Sequence, residues 1–307
     1  MVSAHPEDRA HPPQHVLLDL PPHAKKNFKI LVLLNDTPIK AVKERYGSYH
    51  DIYTNLFRAA ITLAGAEDSP PEDVSLVEGK HEATGERRQQ LFTFTLESYD
   101  AVGQDLPDEK TIKEADGILL TGSASDAHGD DPWIKNLISF IQRVPEINPE
   151  LKLIGMCFGH QIIARASGGH SERNSAGWEL GTRVMHLTDV GKQVFPDKEK
   201  LSVHQMHRDH VPEVPDNFEL LASTEDCKVH GLVRFVDPKK PFSLENIRIL
   251  TLQGHPEFNS TIVNTVIDYR EEQGVISKEE GDKHRERAGM HDDGDYVARR
   301  ILGMFGV

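Results

Sequence analysis

Apolar and polar positions follow two regimes along this chain. Residues 28–34 are nearly all apolar, and the run stops at Asn35-Asp36. A parallel strand buried on both faces reads this way. The next segment switches period. Ile52, Leu56, Ala59, Ala60 and Leu63 recur at helical spacing over 49–63, with Gly65 as the expected stop. Residues 91–96 alternate and predict a second strand. Residues 117–121 predict a third, ending in Gly122-Ser123. Asp131-Pro132 is a good start for an amphipathic helix over 133–144. Residues 151–155 form the next strand, followed by a helix-like stretch at 162–166. Strands that alternate with helices predict an α/β fold, an open and mostly parallel sheet with helices on both faces. Ligands of such sheets bind outside the carboxyl ends of the strands. Three loops qualify: those after Leu34, Thr121 and Met156.

From about 177 to 255 the pattern changes to short strand-like pieces, at 182–187, 218–222 and 247–252. Residues 260–269 return to helical spacing. Residues 277–303 read as charged helix with an apolar end, Ile301-Leu302-Gly303-Met304-Phe305. Pro6, Pro12, Pro13, Pro21 and Pro22 make 1–26 a flexible tail. The expected organisation is a domain over 27–275, a polar surface insertion at 67–90, and a C-terminal helical extension at 276–307.

Composition narrows the function classes. The 307 residues carry a formal net charge of -14. A general nucleic-acid binder would show an excess of Lys and Arg instead. No apolar run approaches the roughly 18 residues of a membrane span. The N-terminus has no continuous apolar core of a signal peptide. Only Cys157 and Cys227 occur, which argues against a disulfide framework and fits a reducing cytoplasm.

Against that background one segment carries chemistry: Gly155-Met156-Cys157-Phe158-Gly159-His160-Gln161. A cysteine between glycines, where a strand turns into a helix, is a nucleophile elbow, as serine is in the G-x-S-x-G turn. The glycines allow the sharp turn. The helix N-terminus favours thiolate, the nucleophilic form. A thiolate nucleophile needs a base, and the base an orienter. Gln253-Gly254-His255-Pro256-Glu257-Phe258 supplies both, because in an extended segment Glu257 would lie on the same side as His255. Cys227 has no elbow and reads as structural. His204, His207 and His210 are spaced by three, but Val203, Met206 and Val211-Pro212 indicate a strand and turn there, and no metal is expected. Trp133 reads as packing its helix onto the sheet.

The elbow and the His-Pro-Glu segment, in this order, resemble class I glutamine amidotransferases. Further pieces are similar to the stand-alone, GMP-synthase-like branch that includes plant γ-glutamyl peptidases. They are Leu120-Thr121-Gly122-Ser123-Ala124-Ser125-Asp126-Ala127, Asp131-Pro132-Trp133-Ile134, Gly168-Gly169, Gly177-Trp178-Glu179-Leu180-Gly181, His207-Arg208-Asp209-His210-Val211 and Glu44-Arg45-Tyr46-Gly47-Ser48-Tyr49. The resemblance covers about 28–270. It implies a flavodoxin-like glutaminase fold with Cys157, His255 and Glu257 as catalytic residues. It implies an oxyanion hole from Gly122, Ser123 and the Phe158 N–H. It further implies substrate contacts from Gln161, Gly177, Trp178, Glu179, His207 and Asp209. For Gln161 the alternative is packing in the elbow helix; for His207 and Asp209 it is that they are polar residues on the surface that touch no substrate. The implied reaction is cleavage of the γ-amide of glutamine or a γ-glutamyl peptide through a glutamyl-thioester, with no cofactor. Two alternatives stand beside it. One is a glutaminase subunit that hands ammonia to a separate synthetase partner. The other is a non-catalytic binding protein on this fold. The chain shows no Gly-x-x-x-x-Gly-Lys-Ser/Thr loop and ends soon after the glutaminase-like part, which favours the hydrolase.

Overall fold

The computed structural model describes residues 14–20, 27–67 and 88–306. Its strands in chain order are β1 (Gln14–Leu20), β2 (Asn27–Leu34), β3 (Arg88–Asp100), β4 (Gly117–Leu120), β5 (Lys152–Met156), β6 (Glu172–Arg173), β7 (Glu179–Leu187), β8 (Lys200–His207), β9 (Asp209–His210), β10 (Glu219–Ser223), β11 (Gly231–Phe235) and β12 (Ile247–Leu252). The helices are α1 (Lys40–Tyr46), α2 (Tyr49–Glu67), α3 (Glu109–Glu114), α4 (Pro132–Ile147), α5 (Phe158–Ala166), α6 (Asp189–Val194), α7 (Ser260–Glu272), α8 (Lys278–Ala288) and α9 (Gly294–Gly303).

Among the described residues ten strands join in one sheet, in the order β1-β3-β2-β4-β5-β12-β11-β10-β7-β8. The central five, β3, β2, β4, β5 and β12, are parallel. β1 and the strands beyond β12 are added antiparallel. β8 and β10 thereby run with the central five, and β1, β7 and β11 run against them.

The continuous apolar run of β2 has a direct physical outcome. Side chains alternate across a strand, so Ile30, Val32 and Leu34 enter one core layer and Leu31 and Leu33 the other. Helices cover both layers, as a parallel sheet requires. α2 and α9 lie over the first, α4 and α5 over the second. The chain leaves β2 for β3 on one side and returns to β4 on the other. The strand order therefore reverses between β2 and β4, and the carboxyl ends of β2, β4, β5 and β12 border one crevice.

The structure departs from the sequence reading at both ends. Residues 14–20, expected within a flexible tail, form β1, paired antiparallel with β3 from Gln14↔Phe94 to Leu20↔Arg88. The rest of that tail and nearly all of the 67–90 insertion lie outside the described residues. α2 continues past Gly65 to Glu67. The last helices are not an appendage. α9 buries Val297, Ala298, Ile301 and Leu302 in the same core layer as β2, and Phe305 stacks on Phe28 with centroids 5.1 Å apart. α8 packs on β7 and α7. The charge along α8 hid this, since only one stripe of a surface helix needs to be apolar.

Candidate active site

Four strand ends build the site. Asn35, just after β2, grips the loop after β4: its N–H donates to Thr121 Oγ1 (3.0 Å) and its Nδ2 to the Thr121 carbonyl (2.8 Å). Asp36 accepts from the Ala124 N–H (2.8 Å). This fixes Gly122-Ser123 beside the elbow. β5 delivers Cys157, whose N–H donates to the Leu252 carbonyl of β12 (2.9 Å). Cys157 is a non-glycine residue at φ 51°, ψ -105°, a sparsely populated conformation of the kind that clusters at functional sites.

The two elbow glycines are steric necessities. A Cβ on Gly159 would lie 2.4 Å from the Leu120 carbonyl oxygen, and one on Gly155 2.7 Å from the Gly159 backbone. A Cβ on Gly122 would lie 2.7 Å from His255 Cε1 and 3.6 Å from the Cys157 Cβ, so the loop backbone touches both side chains.

His255 follows β12. Its ring stacks on Phe258 (centroids 4.1 Å apart, 8° between planes), and its N–H donates to the His204 carbonyl (2.8 Å). Nδ1 lies 2.8 Å from Glu257 Oε1. A carboxylate only accepts, so Nδ1 carries the proton and Nε2 is left for the sulfur. The route to this pair differs from the expected extended segment. Pro256 and Glu257 form a turn, with the Phe258 N–H on the His255 carbonyl (3.3 Å), and the turn folds the carboxylate back onto the ring. Burial alone would push the imidazole down. The Cys157 sulfur and the Glu257 carboxylate outweigh it and hold the ring up at about 10. Burial, followed by the Glu257 carboxylate, keeps the Tyr53 phenol of α2 well above its usual range.

A cavity of about 570 Å³ opens over Cys157. Ser123, Gln161, Trp178, His207 and Asp209 line it together with His255. Gly177 and Glu179 do not. Gly177 sits at φ 100° in the preceding turn. Glu179 is buried behind the cavity, where its carboxylate accepts from His230 Nε2 (2.8 Å) and Thr224 Oγ1 (2.9 Å) and lies 3.2 Å from His207 Nε2. Burial would raise that carboxyl, but the two imidazoles hold it well below the usual range. Gln161 Nε2 donates to the Asp209 carbonyl (2.9 Å) and to Gln253 Oε1 (3.0 Å), tying the elbow helix to β9 and to the loop after β12. The Phe158 side chain stacks on Trp133 (5.4 Å), which places its backbone N–H at the first turn of α5. Cys227 is fully buried with its Sγ 3.6 Å from the Val229 carbonyl, and burial pushes its thiol up.

Among the described residues two groups bring three metal-capable atoms within 4.8 Å: Glu179, His207 and His230, and Asp126, His128 and Asp209. In the second, Arg173 already pairs with Asp126 and Asp209. His204 belongs to neither; it contacts Thr182 and Asp292. Asp36, Arg173 and Arg270 also line the cavity. No local motif distinguishes these charged side chains from surface ones, so sequence reasoning does not reach them.

The comparisons agree with this architecture. The family model Glutamine amidotransferase class-I matches residues 94–268. A glutamine amidotransferase-like protein of Schizosaccharomyces pombe is 33% identical over 276 residues, 90% of this chain and 98% of the relative. Gamma-glutamyl peptidase 5 of Arabidopsis thaliana is 29% identical over 252 residues, 80% of each chain. A glutamine amidotransferase of Thermotoga maritima superposes with a TM-score of 0.62 at 16% identity, covering 91% of this chain and 98% of that one, and shares the fold. With more than half of its length matched to that family model, the chain belongs to the class I glutamine amidotransferase family.

Proposed function

We propose that the protein hydrolyses the γ-amide bond of γ-glutamyl compounds, with Cys157 as nucleophile. The observation that carries this is the hydrogen-bonded His255–Glu257 pair set beside a cysteine in a strained elbow. The Cys157 thiolate attacks the γ-carbonyl carbon. Negative charge collects on the carbonyl oxygen, where the Phe158 N–H and the Gly122-Ser123 turn donate. One such donor is typically worth about 100- to 1000-fold in rate. The C–N bond breaks as His255 gives its proton to the departing nitrogen. A glutamyl-thioester and a free amine result. Water then attacks the thioester, His255 takes its proton, and glutamate leaves with the thiolate restored. Glu257 holds the ring tautomer and balances the imidazolium.

A peptide-sized substrate is supported by two observations. The relative from Arabidopsis carries the name gamma-glutamyl peptidase. The cavity of about 570 Å³ falls within the roughly 300–1,000 Å³ typical of drug-sized ligands and exceeds the needs of a glutamine side chain.

The test is covalent labelling with a diazo-ketone glutamine analogue, followed by digestion and mass spectrometry. The adduct is expected on the Cys157 peptide and absent from Cys157→Ala. Label on Cys227, or on neither cysteine, overturns the assignment. Glutamate release from a γ-glutamyl dipeptide and from glutamine is then compared. Release from glutamine alone transfers the assignment to a glutaminase that serves a synthetase.

A further inference from the structure

The cavity over Cys157 has two unlike walls. One is polar, and its charges are engaged: Arg173 binds Asp126 and Asp209, and Asp36 accepts the Thr37 and Ala124 N–H groups. The other is apolar, built from Ile39, Val42, Trp178, Phe258, Ile262 and Val266. Arg270, in the last turn of α7, stands at this apolar wall with its guanidinium 5.0 Å from the Trp178 ring centroid. Among the described residues no carboxylate pairs with it. It is half-buried, and burial pulls its pKa down while Cys157, Tyr49 and Asp36 pull it up. A guanidinium stacked on an aromatic face, partly desolvated and facing a cavity, is a receptor without its anion. Arg208 also lines the cavity but is exposed.

The chemistry of the substrate says which anion fits. The α-ammonium of a glutamyl group calls for the acidic wall. Arg173 is the cation on that same wall, beside which the α-carboxylate, carried on the same carbon, would lie. The scissile bond lies at Cys157, so whatever is attached beyond its nitrogen continues along the apolar wall towards Arg270. We propose that Arg270 binds a carboxylate of the leaving group, and that the site is thereby selective for γ-glutamyl peptides whose departing amine is an amino acid with a free carboxylate. The proposal rests on the reading of the site as a γ-glutamyl hydrolase.

The test compares γ-glutamyl-alanine with γ-glutamyl-alaninamide, which differ only in that carboxylate, together with glutamine. Binding to Cys157→Ala is measured by calorimetry, where no turnover intervenes. The acid is expected to bind about 10- to 100-fold more tightly than the amide, the worth of a charge-assisted fork to a carboxylate. In the double variant with Arg270→Gln the acid-to-amide ratio is expected to fall to near one. The ratio is internal to one protein sample, so partial misfolding cancels. A Cys157→Ala protein that shows no preference, or binds neither ligand, overturns the proposal. So does a ratio that survives Arg270→Gln, whether or not all ligands weaken together. Glutamine weakening as much as the acid, at an unchanged ratio, assigns Arg270 to the α-carboxylate and overturns it as well. Should the preference appear while the unsubstituted protein releases no glutamate, the hydrolysis reading fails and the carboxylate subsite stands.

Discussion

Cys157 at φ 51° and His255 held up at about 10 are two sides of one arrangement. The elbow thrusts the sulfur out of the strand, and the sulfur then stabilises the charged ring beside it. An ordinary histidine titrates near 6.5. Because the folded value is raised, the protonated ring contributes stability that is fully present below about 6.5 and is lost as pH rises through about 10. His255→Gln removes that dependence. The melting-temperature difference between the two proteins is therefore expected to be largest near pH 6 and to shrink steadily towards pH 10. A difference that is flat or grows with pH sinks the ion-pair account. At this scale the sequence was most legible where chemistry is local. The cysteine between two glycines and the histidine two residues from a glutamate are short-range patterns. How Glu257 meets the ring was not legible, because a turn at Pro256 brings them together where the pattern indicated an extended strand.

Elements carry the next layer. β5, the elbow and α5 fit only because glycines at 155 and 159 let helix and strand approach within contact of Leu120 on β4. Gly159→Ala would place a carbon 2.4 Å from a backbone oxygen that cannot swing away. Overpacking of this kind costs about 1–3 kcal/mol or more. The expected result is a lower urea midpoint and slower labelling of Cys157, since any relief must move the elbow. Unchanged labelling kinetics would show that the turn tolerates the methyl. The period of the apolar residues made β2, β4, α4 and β12 readable, because each of them buries an unbroken run or a clear stripe. α1, α3, α6 and β11 were not readable. They are short, and their position depends on neighbours distant in sequence, as β11 depends on β12 for its register.

The whole molecule decides what the ends of the chain do. α9 closes the core layer over β2 and α2 with residues more than two hundred positions from its partners, so its apolar stripe is part of the main core. Ile301→Ala is expected to lower global stability by about 2–5 kcal/mol, as a buried large-to-small change in a close-packed core does. Fluorescence and circular dichroism should then lose signal in one shared urea transition shifted to lower denaturant. Loss of helix signal alone, at an unchanged main midpoint, would mean that α9 is a separable appendage. The same long-range assembly makes the site. Asn35, Gly122, Cys157 and His255 come from four strand ends that meet only because the strand order reverses between β2 and β4. By itself the sequence determined the periodicity of the long elements, the α/β class and the local elbow and His-Pro-Glu patterns, because these depend on residues within one turn or strand of each other. Only the tertiary structure decided that Glu179 sits behind the cavity, that Arg270 faces it, and that α9 belongs to the core. Each of those outcomes depends on which surfaces are left to be covered once the sheet has formed, and no short window of sequence contains that information.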